Sequence, residues 1–551
     1  MPDTSPVRQL ADEFTDRLFE AEPLEGDELG LREYAGRLGD VSAAAQAAFA
    51  EDAARIAARA DDLEPATDAD RVTLGAIRSW ATRTLLDEAN HSLEHTVTAM
   101  PFSGPAVLFA VAARTVLVDS QAADDYLDRL LAGPAWIDAH TGRLREGHAK
   151  GRLPVASLVE QAIGFADTAL AQDVPPGFLT PQPPEGWDGA DAWRDRVADA
   201  VRDGIKPALG RWRELLQELL PEARSDEQAG LVALPGGADD YVRSIAVHTT
   251  LPLTADELHQ TGLSTIERLN ERALELGSRI GLNSMAEIAA ASRAASRDTD
   301  PTAALHAARA AVARAEARAH ELMPAPLPPA CAVEPMPDSV ADAGMAPHYT
   351  YPRPDGSRPG TYWFNTRRPT AGTGWDLESV AFHETVPGHH SQLARIQVLE
   401  SLPMLQRLSI TVHSEGWGLY AERLASEIGL YSDERAELGA IFTELFRAAR
   451  LVVDTGLHAF GWSRQRAVQF MVDNVPVPES FLANEVDRYI VYPGQALAYL
   501  TGQREIFRLR DAAKATMGGR FDLPGFHAAV LDSGSLPMPV LADVVHAWAR
   551  G

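Results

Sequence analysis

The stretch His383-Glu384-Thr385-Val386-Pro387-Gly388-His389-His390 decides how the rest of the chain is read. It comes close to the His-Glu-x-x-His helix of zinc proteases, in which two imidazoles one turn apart share an ion and the Glu between them handles a water proton. Here the residue four places after His383 is Pro387. On an unbroken helix His390 would lie about 20° from His383 around the axis but roughly 10.5 Å along it, and His389 about 120° round, so neither could share an ion with His383. Proline has no amide hydrogen, and its ring clashes with the carbonyl four residues back, here that of His383 itself. The helix is expected to open at this point. Gly388 accepts backbone angles that other residues resist, so the chain can bulge and resume its helix with a second His swung back toward the first. From the residues alone, both His389 and His390 stand open as that second ligand.

A zinc hydrolase needs three protein ligands, an open position for water, a base, and usually a donor for the oxyanion. A third ligand is expected from a later helix. The segment His413-Ser-Glu-Gly-Trp-Gly-Leu-Tyr-Ala-Glu422 puts Glu415 and Glu422 on one helical face two turns apart, so only one of them should touch a metal. Glu415 is favoured, because Gly416 and Gly418 beside it permit the close helix packing that such a ligand requires; Glu422 is better placed behind it. Glu384 is the expected general base, taking the proton of the attacking water and passing it to the departing amine. Three His and a Glu within eight residues, broken by Pro-Gly, have no ordinary packing rationale. His413 is a further ligand, a hydrogen-bond partner or simply packed. Imidazole and carboxylate ligands suit zinc but also manganese, iron or cobalt.

The composition sets the frame. The chain has 551 residues, 45% hydrophobic and 23% charged, ordinary for a globular protein. No apolar run approaches the roughly 20 residues a membrane helix needs, and the start Met1-Pro2-Asp3-Thr4-Ser5-Pro6 lacks the basic and apolar stretches of a signal peptide. A cytoplasmic protein with no membrane partner is expected. A formal charge of −28 makes nucleic acid an improbable partner. The single cysteine, Cys331, excludes an intramolecular disulfide and a cysteine-rich metal cluster, and is read as an inert thiol.

Apolar residues at spacings of three and four predict helices over 42–60, 68–90, 105–132, 136–150, 153–172 and 191–220, with a Pro/Gly-rich loop at 174–189. Thr254-Ala-Asp-Glu257 has the form of a capping box opening a long helix to about residue 276, and another helix covers 301–322. Between 324 and 374 prolines, glycines and β-formers take over. Residues 349–351 and 361–365 read as short strands about the turn 355–360. Helix returns through the motif and over 405–428, 434–454, 463–472 and 497–516. The expectation is a mainly α protein with a small hairpin beside the candidate metal helix, arranged as an N-terminal helical lobe (1–230) and a C-terminal one (231–551). His248 and His259 are read as core or capping residues.

Several segments together resemble the domain of unknown function 885 family, bacterial proteins held to be zincin-like metallopeptidases. These are Asp355-Gly-Ser-Arg-Pro-Gly360 with Asn365-Thr366, the motif 383–390, Glu415-Gly-Trp-Gly-Leu-Tyr-Ala-Glu422, Val453-Asp-Thr-Gly-Leu-His458 with Gly461-Trp462, and Arg488-Tyr-Ile-Val-Tyr-Pro-Gly-Gln-Ala-Leu-Ala-Tyr499. More distantly the arrangement is similar to the helical gluzincins, including angiotensin-converting enzyme, thimet oligopeptidase and the thermostable carboxypeptidases. The resemblance implies a large multi-helix zincin-like body with a central cleft. Matching the gluzincins' His-Glu-x-Gly-His to this chain selects His389 as second ligand, with His390 as the alternative left by the two-residue insertion; a Glu on a later helix fits Glu415. It also implies zinc, a strand at 349–351 or 361–365 pairing with a peptide, and late Tyr and His residues donating to the oxyanion. His458, Tyr492 and Tyr499 are the candidates for that role. Arg488, Tyr351 and Asn365 are candidates for substrate contact, Arg488 by holding a carboxylate. The activity expected is hydrolysis of short peptides, with hydrolysis of an amide in a small metabolite and non-catalytic binding as the alternatives.

Overall fold

Helix starts in this chain follow side chains that cap them. Ser5, Ser42, Thr67 and Asp119 each accept a hydrogen bond from a backbone N–H three residues on, and Thr254 and Glu257 form both halves of the expected capping box. The structure, a computed structural model, describes residues 5–184, 186–297, 299–337, 341, 346–353, 358–367, 374–399 and 401–551. It is 72% helical with one small three-stranded sheet, a mainly α fold.

Most expected helices appear with shifted ends, such as Ala43–Asp62, Asp68–Asn90, Ala156–Ala171, Ala255–Arg279 and Glu434–His458. Others are redrawn. In place of helices over 105–132 and 136–150, Pro105–Arg114 ends before the β-branched run at 115–118, and a new helix runs from Ser120 through Pro134 to Ala149. The single helix expected over 191–220 is interrupted by a π-helical stretch, Ala200–Ile205, whose Gly204 lies against the Pro134 ring. Helices at Glu479–Val491, Leu523–Leu531 and Met538–Arg550 are additional to those expected.

The sheet also exceeds the expected hairpin. Strand β1 (Ala332–Pro335) comes from the Pro-rich run and pairs in parallel with the central β3 (Thr361–Phe364), while β2 (His348–Thr350) pairs antiparallel on the other side with Tyr349 opposite Tyr362. Residues 355–357 of the expected turn lie outside the described residues. On one face of the sheet, Tyr362 and Phe364 join Ala381, Phe382 and Val386 in an apolar cluster, so the sheet is seated on the helix that carries His383.

The rest of the core does not follow chain order. Phe14, Ile56 and Leu74 of the N-terminal helices pack with Trp417, Ile506 and Leu541, residues 97–219 form a cluster around Tyr126, Trp193 and Trp212, and Ala255–Arg279 packs along Glu434–His458. The helix Thr411–Glu427 lies against Ala498–Met517 at a glycine contact: a Cβ on Gly416 would meet the Gly502 Cα at 2.5 Å, and one on Gly502 would meet the Val412 carbonyl oxygen at 1.9 Å. Backbones this close leave no room for a methyl. Gly502→Ala is expected to destabilise the protein by about 3 kcal/mol, read as a lower midpoint in urea unfolding; an unchanged midpoint would show that the two helices can separate freely.

Candidate metal centre

The helix Leu377–Glu384 ends at the break the proline demands. Thr385 N–H still bonds the Ala381 carbonyl at 2.9 Å, but Gly388 N–H reaches back six residues to Phe382 at 3.0 Å, and a new helix runs from His389 to Val398. Gly388 has φ −78°, so left-handed freedom is not what requires glycine. A Cβ there would stand 1.9 Å from the His383 carbonyl oxygen and 2.4 Å from that of Phe382. Glycine is needed because the chain doubles back onto its own turn. The Pro387 carbonyl accepts from Trp417 Nε1 at 2.9 Å, and the Gly388 carbonyl, which also accepts the first bond of the new helix from Gln392 N–H at 3.2 Å, lies 3.1 Å from the same indole nitrogen.

This path brings His389 onto His383, with ring centroids 4.6 Å apart and planes at 83°. Glu415 Oε2 lies 3.4 Å from His383 Nε2 and 3.6 Å from His389 Nε2, and one donor atom from each of the three residues falls within 4.8 Å of the others. Those spacings are long for hydrogen bonds to a carboxylate. They match the edges, about 3.4 Å, of a tetrahedron whose ligand bonds are about 2.0–2.1 Å. The donor set of two imidazoles and a carboxylate therefore fits a small divalent ion. His390 turns the other way: Nδ1 lies 2.9 Å from the Tyr349 hydroxyl and Nε2 lies 2.7 Å from the Pro329 carbonyl oxygen. Of the two alternatives, His389 is the one at the cluster.

Support comes from behind. His383 Nδ1 lies 2.8 Å from Glu422 Oε1, so that Nε2 is the ring nitrogen on the side of Glu415 and the one a metal would take. Glu422 Oε2 accepts from Ser379 Oγ at 2.6 Å and from Thr443 Oγ1. Gly418 makes room for the ring, since a Cβ there would fall 2.6 Å from His383 Cε1. Neither Ser379 nor Thr443 was flagged by the sequence. Ser379 sits one turn before His383 on the same face, a pattern that could have pointed to it; Thr443 belongs to a distant helix and carries no local signal.

The cluster is buried except for Glu415, whose side chain is 23% exposed. Desolvation alone would lower the His383 pKa, but contacts with Glu415 and Glu422 and the charge of Glu384 push it up to about 10. Burial works to raise Glu415, yet the two imidazoles hold it well below the usual carboxylate range. Three carboxylates around two imidazoles make the site electrostatically favourable for positive charge.

The other expected residues are dispersed. His458 is fully buried, with Nδ1 accepting from Leu231 N–H at 3.1 Å and Nε2 at 3.0 Å from the Tyr489 carbonyl. Asn365 is fully buried, and its amide joins the Ala341 carbonyl to the Arg367 N–H. Both are occupied in tying the chain together, which corrects their expected roles at the oxyanion and the substrate. His413 likewise accepts from Leu536 N–H at 2.9 Å. Tyr492 packs its ring on Phe102 and His248, His259 bonds Thr455 at 2.8 Å, and Tyr351 lies within electrostatic reach of Glu415. Tyr499 lies beneath Arg450 and beside Arg488. Burial and neighbouring carboxylates push the Cys331 thiol up to about 12, in keeping with an inert thiol.

Residues 23–545 match the family described as "Bacterial protein of unknown function (DUF885)", and the chain belongs to that family. Among solved structures it is similar to a "putative lipoprotein" from Colwellia psychrerythraea, at 25% identity and a TM-score of 0.90 over 98% of each chain. It also shares its fold with a "putative lipoprotein of unknown function" from Shewanella oneidensis, at 18% identity and a TM-score of 0.73, covering 98% of this chain and 99% of that one. No curated protein matches. Among the described residues, no helix is long and apolar enough to cross a membrane.

Two outcomes follow from the geometry. Gly418→Ala pushes a methyl into the His383 ring and is expected to weaken zinc retention about tenfold or more, measured by competition with a chelating dye; equal retention would place the ion elsewhere. The carboxylates around His383 favour its protonated form and push its pKa up to about 10, so a metal binding there at neutral pH would displace a proton. Calorimetry in buffers of different ionisation enthalpy should show about one proton released per ion, with affinity falling as pH falls.

Proposed function

We propose that the chain is a zinc-dependent hydrolase, a peptidase acting on short peptides, with His383, His389 and Glu415 as ligands and Glu384 as general base. The observation that carries this reading is the convergence of His383 Nε2 and His389 Nε2 on one oxygen of Glu415, at 3.4 and 3.6 Å. The likeness of the ligand order to that of the gluzincins supports it. The donor set also accepts other divalent transition metals, and zinc is the ion that the likeness favours.

When bound, zinc supplies Lewis acidity, lowering the pKa of a water in its open position and polarising the substrate carbonyl. Glu384 follows His383 directly, and its charge is felt at that imidazole. It takes the proton of the attacking water and hands it to the departing amine. Glu422, held by Ser379 and Thr443, keeps His383 in the tautomer whose Nε2 lone pair is free. The exposed portion of Glu415 marks the open side of the cluster.

Substrate groups fit around it. Strand β2 stands at one end of the three-stranded order, bound to the motif through Tyr349 and His390, which is the position at which an extended peptide would add to the sheet. Tyr351 is in electrostatic reach of both Glu415 and the N-terminal residues Glu25 and Glu28, and Tyr492 of Arg83 and Asp87. A cleft that admits flexible chains and excludes folded ones is part of this proposal. Tyr492 and Tyr499 remain the candidates for donating to the oxyanion.

A library of short peptides read by mass spectrometry is expected to reveal cleavage by the zinc-loaded protein. Glu384→Gln should keep its zinc and lose at least about 100-fold in turnover; full activity in that variant would remove Glu384 as the base, and a wild-type protein that takes up no metal would sink the reading.

A further inference from the structure

The helix Glu434–His458 carries Thr443, Arg447 and Arg450 at i, i+4 and i+7, on one face. That face starts at Glu422, through Thr443, and runs on for about 10 Å to Arg450. Arg488 from the helix Glu479–Val491 and Tyr499 from the helix Ala498–Met517 close around it. The Arg450 and Arg447 guanidiniums lie 4.6 and 5.6 Å from the centre of the Tyr499 ring, and the Tyr499 hydroxyl meets Arg488.

The charges do not balance. Glu485 is the carboxylate paired with this group, 2.7 Å from Arg450 Nη2 and 3.6 Å from Arg488 Nη1. Glu422 is engaged with His383, and against burial its pKa is held below the usual carboxylate value by His383 and, next, by the charge of Arg447. Arg450 is 4% exposed, yet its Nη1 has no hydrogen-bond partner among the described residues. The Nε atoms of Arg447 and Arg488 are likewise buried and unpaired. Stacking on Tyr499, Phe446 and Phe102 covers the faces of the three guanidiniums. Part of their edges is engaged, Arg450 by Tyr489 and Glu485, Arg488 by Gln495 and Arg447 by the Thr443 carbonyl, which leaves Arg450 Nη1 and the Nε atoms of Arg447 and Arg488 without acceptors among the described residues. A buried cationic donor without an acceptor is costly, and a carboxylate with two oxygens satisfies several such edges at once.

We propose that Arg447, Arg450 and Arg488, arranged about Tyr499, form an anion pocket that receives a carboxylate of the substrate next to the candidate metal centre. The substrate class rests on the peptidase reading above; the pocket itself does not. A peptide offers this chemistry from its C-terminus or from an Asp or Glu side chain. Partly exposed Arg447 and Arg488 form the mouth of the pocket and buried Arg450 its floor.

The test is calorimetric binding to the full-length Glu384→Gln protein, which needs no turnover, using three probes. These are a tetra-alanine peptide as the free acid, the same peptide as its C-terminal amide, and an amidated tetrapeptide containing one Glu. The free acid is expected to bind about tenfold or more tightly than the plain amide. Arg488→Met and Arg447→Met should each erode that preference while leaving zinc content unchanged. Recovery of affinity by the Glu-containing amide also supports the pocket and identifies the side chain as the source of the carboxylate. Equal binding of all three probes, or a preference that survives in both variants, overturns the proposal. The comparison of acid with amide in the Glu384→Gln protein itself stands whether or not an arginine variant folds. A protein that binds metal and cleaves peptides but ignores the carboxylate loses only this inference; one that prefers the acid but takes up no metal loses only the hydrolase reading.

Discussion

Everything at the candidate centre depends on how closely the chain passes over itself between Thr385 and Gly388. A regular helix would hold His383 and His389 on different faces. Pro387 removes that option by removing a donor, and Gly388 permits the return path by having no side chain between its Cα and the carbonyls of Phe382 and His383. The Trp417 indole N–H donates to the Pro387 carbonyl and reaches the neighbouring Gly388 carbonyl, which also begins the next helix. Because Trp417 and Glu415 lie on one helix, the contact that seals the break also fixes where the third side chain stands. The broken turn and the crossing helix are one structural unit.

Legibility in the sequence was uneven, for physical reasons. The break, the pairing of His383 with a later His and the nearness of Glu415 depend on short-range chemistry, namely proline's missing N–H, glycine's missing Cβ and helical spacing, and these could be read from residues. The choice of His389 over His390 could not be read from spacing, because it depends on Tyr349 and the Pro329 carbonyl capturing the second ring from outside the motif. His458 and Asn365 were misjudged because polar residues in family-like segments can as well serve internal hydrogen bonding, and only three-dimensional partners reveal which. Strand β1 was missed for the opposite reason: prolines around it hide a strand whose pairing is with residues about 30 positions away. The helix boundaries near 120 and 200 shifted because Asp119 supplied a cap and a π-helical stretch accommodated Pro134.

Charge is organised along the helix Glu434–His458 in a way the overall acidity conceals. At its Thr443 position the helix supports the carboxylate that holds His383, and further along the same face it presents arginines. An acid-rich pocket and a base-rich pocket are thereby placed in sequence on one rigid rod. Under the proposed reading, the first attracts a cation and the second an anion, so a molecule carrying a polarised carbonyl and a carboxylate would be oriented by both. The net charge of −28 says nothing of this, because it averages over surfaces that the site does not use.

The hydrogen bonds from Trp417 and the buttressing of Glu422 by Ser379 and Thr443 are made wholly by groups of the chain itself. The conformational entropy of assembling the cluster is thus met when the polypeptide folds, in contrast to zinc fingers, whose folding is driven by their metal. Chelation should leave such a protein folded and reloadable, and the ion it carries would then reflect the supply of its surroundings as much as any selectivity of its own.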